Sequence, residues 1–238
     1  MKRYLYVALA ALTLSACAKQ LNQVPSASLP SGDAITSLDN LGVAINGAYY
    51  LATYGDQMTL SSELAIYADE LGPDSKVGDG SGQFAQKIHE RSITNNDSYN
   101  AYAYIYMALA NINRSLEAAQ KLEDSERKDS YIAELYGMRA LFHFELAKLF
   151  APIPTSHNAS NSNGIVLSIK VYPLDYKGAR ASLEDTYKQI VEDFSTCIRI
   201  CEESDLNMEK NLGHVNYWAA LALRARAYLY WGNSACYW

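Results

Sequence analysis

The feature that most constrains the fold of this chain is the spacing of its apolar residues, which recur in steps of three and four along five segments. An α-helix has about 3.6 residues per turn, so this spacing places the apolar side chains on one helix face. These faces comprise Leu38, Leu41, Ile45, Ala48 and Ala52; Tyr102, Ile105, Leu109, Ile112, Leu116 and Ala119; Tyr131, Leu135, Met138, Phe142, Leu146 and Leu149; Leu183, Tyr187, Ile190, Phe194, Cys197 and Cys201; and Trp218, Ala222 and Leu229. Because each face must be covered by a neighbour, the pattern predicts an all-α protein whose first helix begins near Thr36 or Ser37.

Two of these segments also share a short sequence motif, which suggests a structural repeat. "MRALFHFELA" and "LRARAYLYWG" place Arg139-Ala140 and Arg224-Ala225 before an aromatic-rich turn. Helix pairs that repeat in this way are typical of tetratricopeptide-like packing. The stretches between the helices are long and irregular, notably the polar run from Gly72 to Ser98. Alternating apolar residues from Ile165 to Val171 predict one short extended piece.

The N-terminus resembles a bacterial lipoprotein signal. Lys2 and Arg3 precede an apolar stretch that ends in "LSAC", with small residues directly before Cys17. We therefore expect residues 1–16 to be removed as a signal peptide, Cys17 to be lipidated and residues 17–35 to form an extended tether. The alternative is an ordinary signal peptide with an incidental cysteine. Ala18 follows the lipidated position in place of aspartate, which favours the outer membrane.

Charge and cysteine content narrow the possible functions. A formal net charge of −6 and no visible basic cluster argue against nucleic acid as a partner. Cys197 and Cys201 fall on an apolar helix face and are interpreted as small buried hydrophobic residues. The four histidines are scattered without metal-ligand spacing, so we expect no metal and no cofactor. We expect His143 to lie within or beside the core.

Taken in order, these segments resemble the SusD/RagB family of outer-membrane lipoproteins from Bacteroidetes. The lipobox and tether are followed by "LGVAINGAYYLA", "YAYIYMALANINRSLEAAQ", "AELYGMRALFHFELAKLFAPIP", "RASLEDTYKQIVEDF" and "ALALRARAYLYWG". The resemblance extends over essentially the whole mature chain, and residues 36–238 are similar to the N-terminal helical domain. Family members are considerably longer, so we expect either a truncated fragment or a shortened homologue that lacks the C-terminal half.

The resemblance implies a nutrient-binding protein without catalytic activity. Such a protein is anchored by lipid at the outer membrane and captures glycan or peptide for a SusC-like TonB-dependent transporter, as in starch utilization systems. We expect display at the cell surface, although "AKQLNQ" after Cys17 lacks the acidic residues often present there. The alternative function is a helical-repeat scaffold that binds proteins on the outer membrane and takes no nutrient.

Two sequence features compete with this interpretation because they resemble enzyme motifs. Ser125 to Lys128 matches the S-x-x-K of penicillin-recognising enzymes, but neither S-D-N nor K-T-G follows, and a solvated turn is favoured. Glu63, Asp69 and Glu70 supply the carboxylates that glycoside hydrolysis requires, but carboxylates are also common at helix ends. Catalytic residues are therefore not expected.

The polar segment from Gln83 to Asn100, which precedes the predicted helix containing Tyr102, is the predicted ligand contact. It offers both hydrogen-bonding groups and aromatic faces, from Gln83, Phe84, His89, Asn96, Tyr99 and Asn100. A purely structural loop is the competing interpretation of the same segment.

Overall fold

The computed structural model describes residues 34–53, 68–78, 82–94, 97, 100–155, 162–173, 175–206 and 213–232. Within these ranges the chain forms six helices: α1 (Leu38–Thr53), α2 (Gln83–His89), α3 (Asn100–Ala119), α4 (Glu126–Phe150), α5 (Leu183–Glu203) and α6 (Tyr217–Trp231). The same ranges contain no β-strand beyond one isolated bridge between Asn163 and Ser182. The prediction of an all-α fold is therefore confirmed. None of the described helices is long and apolar enough to cross a membrane.

The five longer helices pack in chain order, with α4 at the centre. Helix α1 lies on α3, α3 on α4, α4 on α5 and α5 on α6, while α4 also contacts α1 and α6. In this arrangement each helix covers the apolar face of the next, which is the packing of helical-repeat proteins. The predicted tetratricopeptide-like architecture has this form.

Helix α1 follows its predicted pattern closely. Its buried residues are Leu41, Ile45, Ala48 and Ala52. The Ser37 hydroxyl accepts a hydrogen bond from the backbone N–H of Asn40 at 3.2 Å and so caps the helix where the sequence predicted its start.

Helix α4 differs from the single-face prediction, because it is buried around most of its circumference. Its buried positions include both apolar and polar residues, among them Ala133, Glu134, Leu135, Met138, Arg139, Ala140, Phe142, His143, Phe144 and Leu146. Neighbouring helices surround α4, and a helix in that position needs no solvated face. The predicted core residue Leu149 is instead 37% exposed, near the end of the helix.

Helix α5 is the element that periodicity described best. All six predicted core residues on it are buried, including both cysteines. Its N-cap is Ser182, whose hydroxyl accepts from the backbone N–H of Asp185 at 2.9 Å and donates to the Asp185 carboxylate at 2.7 Å. The Asp185 carboxylate thus bonds to the hydroxyl that caps the helix.

The prediction of which face of α6 is buried is wrong. Trp218 and Leu229, which we expected in the core, are 61% and 76% exposed. The buried positions are Ala220 and Ala227, whose small side chains allow α6 to approach α5 closely. Helix α5 covers only one side of α6, and periodicity alone cannot say which of two apolar sides that will be.

The arginines of the two Arg-Ala motifs both bond to helix α5. Arg139 of α4 bonds to Asp193 of α5, and Arg224 of α6 donates to the Ser195 hydroxyl of α5 at 3.1 Å. Helix α5 thus receives an arginine from both neighbours. The two sites differ in burial, because Arg139 lies in the core and Arg224 is only partly covered.

Two connections also differ from their prediction. The segment predicted to be irregular from Gly72 to Ser98 contains the short helix α2. Ser125 is the N-cap of α4, where its hydroxyl accepts from the backbone N–H of Lys128 at 3.2 Å. The Lys128 ammonium is largely buried and donates to Asp124 and to the Leu122 carbonyl. The S-x-x-K match is therefore a helix start in place of the solvated turn.

Candidate functional site

The segment that follows α4, residues 162–173, crosses the helices and is named the strap. It begins with backbone pairing to the residues before α5: the Gly164 N–H donates to the Ala181 carbonyl, and the Ala181 N–H donates to the Ile165 carbonyl, both at 2.8 Å. This pairing is one isolated bridge among the described residues and lies at the start of the strap, whereas the extended piece was predicted from Ile165 to Val171.

Side chains from two helices then hold the main chain of the strap. The Tyr106 hydroxyl donates to the Val166 carbonyl at 2.7 Å, and the Asn113 amide donates to the Ser168 carbonyl at 2.8 Å. From α4, Arg139 donates to the Ile169 carbonyl at 3.0 Å. Buried backbone groups outside regular structure need such partners, so these bonds fix the path of the strap over α3.

Arg139 is itself held by a buried carboxylate. Its Nε and Nη2 atoms donate to the two oxygens of Asp193 at 2.8 and 2.6 Å, and its Nη1 atom donates to the Asn113 amide oxygen at 3.1 Å. Both charged side chains are almost completely buried. Burial raises the pKa of Asp193 above its usual value, while the bonds from Arg139 oppose that shift. This bidentate pair links α4 to α5, and it fixes the guanidinium that donates to the Ile169 carbonyl of the strap.

His143 supplies the last anchor of the strap. The backbone N–H of Ser168 donates to its Nε2 atom at 3.0 Å, which requires the neutral imidazole with its proton on Nδ1. Burial, with a smaller contribution from the charge of Arg139, lowers the pKa of His143 to about 3. The prediction that His143 lies in the core is confirmed, since the residue is fully buried.

The strap and α3 enclose an open groove of about 470 Å³. One wall comes from α3 and the other from the strap and the residues after it. The lining residues are Tyr102, Ala103, Tyr106, Met107, Ala110, Arg114, Val166, Leu167, Ser168, Lys170, Val171, Tyr172, Pro173, Tyr176 and Gly178. Clefts of this size, with apolar walls and a few polar groups, are the usual form of a small-molecule site.

Tyrosines form the largest surfaces of the groove. Tyr172 and Tyr176 stack with ring centroids 4.0 Å apart and planes 17° apart, while Tyr102 and Tyr106 lie 4.7 Å apart on the other wall. Tyr102 is 43% exposed, so its predicted place in the core is wrong. The strap crosses α3 at Tyr106, whose hydroxyl donates to the Val166 carbonyl, and it leaves Tyr102 exposed in the groove.

Gly178 makes the close packing of this wall possible. A Cβ atom at this position would lie 2.6 Å from the Val166 side chain and 2.9 Å from the Tyr176 ring. Any larger residue would have to move the tyrosine or the strap, so glycine is required by contact rather than by backbone angle.

Most of the predicted ligand residues cannot be compared with the groove. Asn96 and Tyr99 lie outside the described residues, as does Cys17. Gln83 and Phe84 begin α2 and Asn100 begins α3. These assignments stay predictions.

His89 is the one predicted ligand residue whose side chain is described. It ends α2 and lies 3.4 Å from a Glu70 carboxylate oxygen. None of the six predicted residues is among the described residues that line the groove.

The carboxylates considered for catalysis are also away from the groove. Asp69 is exposed and uses its backbone carbonyl to accept from the Ser75 hydroxyl, while Glu63 lies outside the described residues. Among the described residues, no three His, Cys, Asp or Glu side chains group closely enough to hold a metal ion.

Sequence reasoning missed the groove because its second wall comes from a loop. The available signal was the pair Tyr172 and Tyr176 beside Pro173, in a chain with 19 tyrosines. On α3, Tyr102 and Tyr106 stand four residues apart and so share a helix face, whereas apolar spacing predicted Tyr102 in the core.

Stacked helices and an open tyrosine-lined groove define a helical-repeat protein with a site on one flank. The chain belongs to the SusD-like family described as "Starch-binding associating with outer membrane", which it matches over residues 28–229. The resemblance drawn from the sequence is thereby confirmed. No curated protein shows significant sequence similarity to the chain.

Solved structures have the same fold. A SusD superfamily protein from Bacteroides thetaiotaomicron is 25% identical with a TM-score of 0.72, over 83% of this chain and 43% of that one. A putative sugar binding protein from Bacteroides vulgatus is 24% identical with a TM-score of 0.73, over 84% and 44% of the two chains. A laminarin binding SusD-like protein is 20% identical with a TM-score of 0.63, over 82% and 40%. The chain thus spans less than half the length of these structures.

Proposed function

We propose that this chain binds oligosaccharide in the groove between α3 and the strap. The observation that carries the proposal is the stacked pair Tyr172 and Tyr176 opposite Tyr102, in a member of a family described as starch-binding. One face of a sugar ring presents C–H groups that pack on an aromatic ring, while its hydroxyls bond to polar neighbours. Tyrosine offers both an apolar face and a polar tip.

The preformed path of the strap favours binding. Its main chain is fixed by side chains of α3 and α4, so the groove wall does not have to be ordered when a ligand arrives. A site that is already ordered loses less conformational entropy on binding.

The function at the membrane completes the proposal. Lipid on Cys17 would hold the protein at the outer membrane, facing outward, and a SusC-like TonB-dependent transporter would receive the bound glycan. Tethering beside the transporter raises the effective concentration of ligand there. No chemical step is required of the protein, whose role is capture and delivery.

Binding measurements on groove variants test the glycan proposal. The full chain with Cys17→Ser, which keeps it free of lipid, is titrated with panels of oligosaccharides and peptides by isothermal calorimetry. We expect Tyr172→Ala and Tyr176→Ala each to weaken glycan binding about tenfold, because each removes a stacking face.

The matched control is Trp218→Ala, which removes an exposed aromatic from α6 outside the groove. It should leave glycan binding unchanged. Equal losses in all three variants, or binding of peptides alone, would count against a glycan site in the groove.

Transporter partnership needs a separate experiment. The lipidated protein is purified from outer membranes, and the associated proteins are identified. A TonB-dependent barrel should co-purify with it, and its consistent absence would refute the delivery role without affecting the binding site.

The exposed face of α6 favours the second candidate, a protein-binding scaffold. Trp218 and Leu229 form part of an apolar surface with no covering element among the described residues. If the protein is a scaffold, Trp218→Asp will abolish association with a protein partner while the tyrosine variants have no effect.

A further inference from the structure

The charge of the groove differs from the charge of the chain. The whole sequence has 26 acidic and 20 basic residues. The described residues that line the groove include two cations, Arg114 and Lys170, and no aspartate or glutamate. The groove is therefore a positive site on an acidic protein.

Both cations are available to a ligand. Arg114 is exposed on α3, and in the described part of the chain neither it nor Lys170 forms an ion pair with a carboxylate. Arg127, Arg139 and Arg199 all do so. The Lys170 ammonium instead lies 5.5 Å from the centre of the Tyr172 ring, which keeps the charge beside the stacked wall.

The position of Arg114 fits an extended ligand. Tyr102, Tyr106, Ala110 and Arg114 are spaced four residues apart, so they form one line along α3. At 1.5 Å per residue, the Cα atoms of Tyr102 and Arg114 lie roughly 18 Å apart along the helix axis. That length exceeds one sugar ring, so a ring on the tyrosines and an anionic group at Arg114 belong to different sugars of an oligosaccharide.

We propose that the groove selects anionic oligosaccharides, which carry uronate carboxylates or sulfate esters, over neutral glycans. The inference rests on the proposed function, since it names the class of glycan that the groove takes. A guanidinium binds a carboxylate or a sulfate through two parallel hydrogen bonds, and these charge-assisted bonds are stronger than those to neutral hydroxyls. A neutral glycan would use the tyrosines and gain nothing from either charge.

Ligands matched in all but charge provide the test. Oligogalacturonate is compared with its methyl-esterified form, and a chondroitin sulfate oligosaccharide with a desulfated and carboxyl-reduced form. Calorimetry on the full chain with Cys17→Ser should show each anionic ligand binding about tenfold more tightly than its neutral counterpart. Raising the salt concentration should weaken only the anionic complexes.

Variants locate the effect in the groove. Arg114→Met and Lys170→Met keep the apolar stem and remove the charge, and each should cost about tenfold in affinity for the anionic ligands alone. The control is Lys188→Met, an exposed lysine of α5 outside the groove lining, which should change nothing. Circular dichroism checks that the variants fold.

Each outcome has a defined meaning. Equal affinity for anionic and neutral glycans, with binding still lost in Tyr172→Ala, would overturn the charge selectivity and leave the glycan proposal intact. No binding of any glycan would overturn the proposed function itself. Equally tight binding of oligoglutamate would overturn the selection of sugars, because the cations would then recognise any polyanion.

Discussion

Replacing Asp193 with alanine leaves the buried guanidinium of Arg139 without its carboxylate. Arg139 would keep only two neutral acceptors, the Asn113 amide oxygen and the Ile169 carbonyl, at 3.1 and 3.0 Å. The side chain is 8% exposed, so water can do little to replace the lost charge. Removing one partner of a buried ion pair costs about 3–5 kcal/mol. For a chain of this size that corresponds to a fall in melting temperature of about 10 °C.

The assay is urea unfolding followed by far-ultraviolet circular dichroism, which reports the helices directly. The free energy of unfolding of Asp193→Ala is compared with that of Glu192→Ala, which changes the exposed neighbouring carboxylate of the same helix. We expect the Glu192 variant to stay within about 0.5 kcal/mol of the wild type.

A double variant separates loss of the charge pair from loss of packing. Arg139→Met with Asp193→Leu removes both buried charges, but it leaves the Asn113 oxygen and the Ile169 carbonyl without their donor. The double variant should therefore recover part of the stability lost in Asp193→Ala. Its remaining deficit should be about 2 kcal/mol, roughly 1 kcal/mol for each of the two unpaired neutral acceptors. A loss below about 1 kcal/mol in Asp193→Ala, or a double variant less stable than it, would refute this account.

Two further predictions concern protonation and lipidation. His143 has a pKa of about 3 in the folded protein and an ordinary pKa near 6.5 when unfolded, so only the unfolded state gains a proton between these values. Its contribution to stability is complete above about pH 6.5 and is lost as pH falls, by about 2 kcal/mol between pH 7.5 and pH 5. His143→Gln keeps an acceptor for the Ser168 N–H, so its unfolding free energy should lack this component; an unchanged pH dependence would contradict the assignment. Cys17→Ser should abolish acylation and release the protein from membranes, whereas persistent palmitate labelling would show that the lipid is attached elsewhere.

The parts of the fold that could be predicted are those set by local spacing. All six residues that spacing placed in the core of α5 are buried, so on this helix the apolar face and the buried face coincide. Helix α4 differs from the single-face prediction because its burial depends on how many helices surround it. Helix α6 differs from its prediction because the buried alanines lie opposite a larger apolar face that stays exposed.

The groove could not be predicted because its geometry is set by contacts between distant residues. Tyr106 and Val166 stand 60 positions apart, and Arg139 reaches Ile169 across 30. Apolar periodicity contains no information about which buried polar side chain will bond to which loop carbonyl. The sequence pattern consequently pointed to the irregular stretch before α3 and not to the loop after α4.

The hydrogen bonds from α3 and α4 to the strap go mainly to its main chain, at Val166, Ser168 and Ile169. Carbonyl and amide groups are the same in every amino acid except proline, so these bonds do not depend on which side chains the exposed part of the strap carries. Mutation can therefore exchange the residues that face a ligand while the loop keeps its course. The backbone path of the strap and its ligand specificity can therefore evolve separately. Related proteins can change the ligand they bind by point substitutions that leave the backbone unchanged.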